Sequence, residues 1–128
     1  MFTGIIEGFG RVISYKQQDN LRQWDGSVGP GYVLKIRDES PHKTIVQDVS
    51  VGCSIAVNGV CLTVIRHGED WFKVGVSPET MRRTGLKPAT MELNELVNLE
   101  RSMGATDRIS GHFVQGHVDG TGRIMVRP

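Results

Sequence analysis

Asn58-Gly59 sits between Ala56-Val57 and Val60-Cys61, two short apolar runs. This dipeptide accepts the positive φ values of a two-residue type I′ turn, whose twist matches that of paired strands. A chain carrying it here is committed to a tight β-hairpin near its centre. His67-Gly68-Glu69-Asp70 supplies a second short connection into Trp71-Phe72-Lys73-Val74, so three consecutive strands form a meander. The other apolar segments are also short, rich in β-branched residues and broken by glycine, of which there are 16 in 128 residues. The predicted strands cover 4–14, 31–37, 54–57, 60–66, 71–77 and 96–100. Six strands of this length predict an all-β fold, a closed six-stranded barrel of the Greek-key type.

One short helix interrupts the pattern. Ser77 can accept a free amide at a helix start, Pro78 suits the first helical position and Glu79 favours the positive helix end, so a turn is predicted over 79–83. Gly85 is placed to terminate it and Pro88 blocks any extension. Residues 17–30, with Asp25-Gly26 and Gly29-Pro30, read as a long polar loop, and 38–48 as a second excursion.

Length allows one ordinary domain or two very small ones, with roughly two thirds of the unfolded chain's surface buried on folding. Fifteen basic and 14 acidic residues leave a net charge of +1 without long blocks of one sign, which argues against nucleic acid or anionic lipid as partners. Cys53 and Cys61 are the only cysteines and the N-terminus has no leader pattern, so the cytoplasm is the default location. No apolar run approaches the roughly 20 residues of a membrane helix.

The two ends of the chain repeat each other. Residues 1–13, Met-Phe-Thr-Gly-Ile-Ile-Glu-Gly-Phe-Gly-Arg-Val-Ile, lie without gaps on 113–125, Phe-Val-Gln-Gly-His-Val-Asp-Gly-Thr-Gly-Arg-Ile-Met. Three glycines, an arginine and an acid coincide. The chain is thus expected to hold one barrel over 1–100, a connector over 101–112 and, over 113–128, the first strand of an incomplete second barrel.

The motifs at 1–7, at 52–64 (Gly-Cys-Ser-Ile-Ala-Val-Asn-Gly-Val-Cys-Leu-Thr-Val), at 77–80 (Ser-Pro-Glu-Thr) and at 111–119 (Gly-His-Phe-Val-Gln-Gly-His-Val-Asp) resemble the N-terminal half of riboflavin synthase. The departures are Ser110, where that family usually has glycine, the longer early loops, and the missing remainder of the second half. The resemblance implies two similar barrels in a full-length chain, and conversion of two molecules of 6,7-dimethyl-8-ribityllumazine into riboflavin and 5-amino-6-ribitylaminouracil by transfer of a four-carbon unit. No cofactor is implied, because one lumazine donates and the other accepts. It also implies a homotrimer at full family length, and for the isolated barrel a homodimer that binds ligand with little or no turnover. A non-catalytic lumazine or flavin carrier of antenna type is the rival reading.

Carried over by motif, the substrate-binding residues implied are Gly4, Ile5, Ile6, Cys61, Leu62, Thr63, Gly75, Val76, Ser77, Pro78, Glu79 and Thr80, with Gly116, His117 and Val118 from the second repeat. Cys61, His117 and Ser54 are the implied catalytic candidates. Strand ends offer main-chain donors and acceptors suited to the edge of a flat heteroaromatic ring. Cys61 and Thr63 fall on one strand face, yet cysteine is as readily a buried thiol. Ser77 could simply cap its helix, and Ser54 could be ordinary turn chemistry. His117 aligns with Ile5, which places it at the ligand edge of the second barrel, where an imidazole could deprotonate a ring methyl. His112 and His117, five apart, would lie on opposite faces of a strand, so zinc is not expected.

Overall fold

The computed structural model describes residues 1–22 and 26–126. Six strands, β1 (Gly8–Arg22), β2 (Val28–Asp38), β3 (Ser54–Val57), β4 (Val60–His67), β5 (Trp71–Val76) and β6 (Leu96–Arg101), pair in the order β1-β2-β5-β4-β3-β6 and close into a barrel. Every pairing is antiparallel. In β3, β4 and β5 each strand neighbours the next, and β6 returns to lie beside β3, which is the Greek-key connection. The type I′ geometry predicted at the hairpin is present, with φ of 49° at Asn58 and 80° at Gly59.

Alternation builds the core. Phe72, Val74 and Val76 of β5 and Val60, Leu62 and Val64 of β4 turn inward, while Cys61, Thr63 and Ile65 between them do not. Leu34 and Ile36 of β2 and Val97 and Leu99 of β6 complete the interior. Tyr15 packs edge-on against Tyr32 and donates its hydroxyl to the Leu86 carbonyl at 2.7 Å. Burial, and to a lesser degree the neighbouring Tyr32, pushes the Tyr15 hydroxyl well above the ordinary phenol range.

Four sequence expectations are corrected. The segment 17–30 is mostly strand: β1 and β2 run on as a ribbon, pairing Gln17 with Tyr32 and Arg22 with Val28. Its polar composition reflects exposure of much of that ribbon rather than a loop, and register shifts between Val12 and Ser14 and between Gln18 and Leu21 blur its periodicity. Asp25 of the Asp25-Gly26 turn signal lies outside the described residues. The excursion at 38–48 holds a second short helix, α1 (Thr44–Gln47). The buried Asp38 carboxylate accepts from the Ser40 amide at 2.8 Å and the Val46 amide at 2.9 Å, which presses Ile45 and Val46 into the core.

The predicted helix is α2 (Pro78–Arg83), but Gly85 does not end it. Thr84 does: its hydroxyl donates to the Thr80 carbonyl at 2.7 Å and accepts from the Leu86 amide at 3.1 Å. The strand expected from residue 4 begins only at Gly8. Over 113–126 one isolated bridge forms, between Phe2 and Val114.

Candidate functional site

β4 pairs with β5 as far as Val64 and Val74, two residues before β5 ends at Val76 and the chain turns into α2, and Cys61 and Thr63 border the start of that helix. Two shallow depressions meet there. One, of about 370 Å³, is walled by Cys61, Leu62, Thr63, Gly75, Ser77 and Thr80, with Leu21 of the β1 ribbon at its edge. The other, of about 360 Å³, is walled by Cys61, Ser77, Glu79, Thr80, Gly116, His117 and Val118. Cys61, Ser77 and Thr80 belong to both and form the saddle between them.

The C-terminal stretch is brought to this place by main chain. The Gly116 carbonyl accepts from the Cys61 amide at 2.9 Å, supplying the acceptor that β5 no longer offers. Gly116 is required for that approach: its φ is 78°, and a Cβ there would stand 2.8 Å from the Cys61 Cβ and 3.0 Å from its nitrogen. Val118, two residues on, packs against the core. His117, expected at the ligand edge of a second barrel, is exposed and shares the wall of this depression with Glu79 and Ser77.

Ser77 takes the role that the plainer reading gave it. Its hydroxyl oxygen accepts from the Thr80 amide at 3.2 Å and lies 3.0 Å from the Thr80 hydroxyl. The capping pair still presents a hydroxyl surface to both depressions. Ser77→Ala is expected to lower stability by about 1 kcal/mol, read as a lower urea midpoint with an unchanged slope; an unaltered midpoint would contradict the capping role. Glu79 is paired with Arg83 at 2.9 Å, so its carboxylate has a partner one turn along the helix.

Not every sequence candidate gathers here. Leu62 and Val76 turn their side chains into the core, leaving only main-chain groups to offer. Pro78 is exposed outside both walls, and Ser54 faces outward opposite Thr63 without joining either. Gly4 and Ile6 line a different cavity of about 310 Å³, across Gly116 from the saddle, and Ile5 lines a third of about 550 Å³. The cause is Glu100, whose carboxylate accepts from the Thr3 amide at 2.7 Å and the Gly4 amide at 3.1 Å and so holds the N-terminal segment by β6. Glu7, Asp48 and Arg101 also wall that third cavity, and the Glu7 carboxylate hydrogen-bonded to Arg101 raises the guanidinium pKa further. Leu21 was missed because it stands alone in a polar run. Its burial at 4% on a ribbon end marks it as the packing partner of Gly31 and Gly75.

A family model described as the lumazine binding domain matches residues 3–102. The chain belongs to the lumazine-binding domain family. Relatives include riboflavin synthase of Saccharomyces cerevisiae, 43% identical over 127 residues, spanning 99% of this chain and 50% of the relative. The riboflavin synthase of Bacillus subtilis is 44% identical over 124 residues, spanning 97% of this chain and 50% of the relative. This lumazine-binding domain chain therefore spans about half the length of the curated relatives it matches. Among solved structures, LumP complexed with riboflavin superimposes with a TM-score of 0.72 at 24% identity, over 94% of this chain and 56% of that one. LumP complexed with 6,7-dimethyl-8-(1'-D-ribityl) lumazine gives 0.71 at 24% identity, over 94% and 58%. These two likenesses confirm the fold of the domain. Among the described residues no helix is long and apolar enough to cross a membrane.

Proposed function

We propose that the chain binds 6,7-dimethyl-8-ribityllumazine or riboflavin across the Cys61–Ser77–Thr80 saddle, with His117 and Val118 closing one side. The observation that carries this reading is the Gly116 carbonyl on the Cys61 amide, because it joins two segments far apart in sequence into one concave wall. The wall has the features a flat ring with a polyol tail needs: apolar rims from Val60 and Leu21, and hydroxyls at Thr63, Ser77 and Thr80.

In a chain of the relatives' length, this barrel would be one half of a riboflavin synthase in the cytoplasm, in which two lumazines give riboflavin and 5-amino-6-ribitylaminouracil. The repeat suggests how the halves meet. Phe2 and Val114, equivalent in the repeat, exchange two amide-to-carbonyl bonds of 2.8 Å each, and their neighbours Gly4 and Gly116 share similar φ values of 86° and 78°. The end segments are thus related by a local twofold. On that symmetry Gly4, Ile5 and Ile6 would serve a second barrel, in the same chain or in a homodimer partner, as Gly116, His117 and Val118 serve this one. Catalysis would use Cys61 and His117 as the groups able to move protons near the ring, with rate coming largely from holding two rings face to face.

Incubation of the 128-residue chain with pure lumazine tests the reading. Saturable binding at one ligand per chain with little riboflavin formed is the expected result, whereas rapid formation of riboflavin would show that a single barrel suffices. Absence of saturable binding by lumazine and riboflavin alike would overturn it.

A further inference from the structure

Glu100 lies on β6 with 8% of its surface exposed, and a buried carboxylate is costly unless donors match its oxygens. Here they do. One oxygen accepts from the Thr3 amide at 2.7 Å and the Thr3 hydroxyl at 3.1 Å, and the other from the Gly4 amide at 3.1 Å. These donors all precede β1, so the carboxylate fastens the lead-in segment rather than the barrel wall.

That segment in turn fastens the C-terminal stretch. Phe2 is 1% exposed and exchanges both main-chain bonds with Val114, and the Thr3 carbonyl accepts from the His112 amide at 3.2 Å. Two residues beyond Val114 comes the Gly116 carbonyl on Cys61. The register closes the circuit, since Ala56 of β3 pairs with Cys61 on one side and with Glu100 on the other. Both anchor points therefore stand on a single cross-strand row, with Ala56 between them.

We infer that Glu100 is a positioning residue: by fixing Thr3 and Gly4 it sets where Gly116–Val118 lie against Cys61, and so shapes the wall that takes the ligand. The ligand half of this inference rests on the binding reading above. The bonds end on a carboxylate and are charge-assisted, which makes them stronger than neutral ones. Glutamine has nearly the same shape, but its amide nitrogen would face a main-chain N–H, donor against donor.

The test is Glu100→Gln in the ¹⁵N-labelled 128-residue chain, with Glu100→Asp as the variant that keeps the charge at shorter reach. Amide exchange at Phe2, Cys61 and Val114 should accelerate by about tenfold or more in Glu100→Gln, while the core amides of Leu34, Phe72 and Val74 keep their protection. The dissociation constant for riboflavin should rise about tenfold in parallel, with Glu100→Asp between it and the parent. Unchanged exchange at Cys61 would overturn the inference. So would an equal acceleration of all the core amides, which would make Glu100 a support of the whole barrel, and so would unaltered riboflavin affinity despite faster Cys61 exchange. If the parent chain binds neither riboflavin nor the lumazine, the binding reading fails by itself, and the exchange pattern still decides the role of Glu100.

Discussion

Gly116→Val is expected to abolish detectable riboflavin binding while the barrel stays folded. A Cβ at this position meets the Cys61 Cβ, nitrogen and Cα at 2.8, 3.0 and 3.3 Å, and two of these are main-chain atoms that cannot swing aside. The φ of 78° adds a second obstacle, since a β-branched residue rarely adopts it. The stretch around His117 must lift off. The Cys61 amide then loses its acceptor, and His117 and Val118 leave the wall together. Strand pairing around the barrel does not pass through Gly116, so the circular dichroism spectrum should be retained. Fluorescence titration should show no saturation at riboflavin concentrations that saturate the parent chain; binding at parental strength would mean that the C-terminal stretch is no part of the site.

Phe72→Ala is expected to remove about 3–5 kcal/mol of folding stability. Phe72 is wholly buried on β5, paired with Ile36 of β2 on one side and His67 of β4 on the other, where the deletion leaves a void bounded by strands that cannot collapse independently. For a domain of ordinary stability, about 5–15 kcal/mol, that is a large share. Urea unfolding measures it directly. The ring lies away from the Cys61–Thr80 saddle, so saturating ligand should restore much of the loss by mass action. A loss below about 1 kcal/mol would show that the interior tolerates the void, contrary to the close packing inferred from the strand register.

What the sequence revealed depended on how local its physics was. Asn58-Gly59 dictated its own hairpin, and the short apolar runs on either side of His67-Gly68-Glu69-Asp70 were legible as strands. The β1–β2 ribbon was illegible because the signal for a strand is a buried face, and that ribbon is exposed over much of its length with two register shifts. Asp38 looked like a loop residue; its role in seating Ile45 and Val46 arises only when the chain folds back on it. In the candidate site, the Cys61-Leu62-Thr63 strand and the Ser77-Pro78 helix start were visible as motifs. The resemblance carries Gly4, Ile5 and Ile6 to this barrel's site, whereas the aligned repeat sets His117 at the edge of a second barrel. The antiparallel bridge between Phe2 and Val114 is not legible in the sequence, because a linear alignment of two segments does not say whether they pair with each other.

The most direct measurement is a ¹H–¹⁵N titration of the 128-residue chain with 6,7-dimethyl-8-ribityllumazine. The account predicts saturable shifts concentrated at the amides of Cys61, Thr63, Gly75, Thr80 and His117, with those of Glu7, Asp48 and Arg101 unmoved. Shifts centred on Glu7, Asp48 and Arg101, or a spectrum that does not change at saturating ligand, would contradict it.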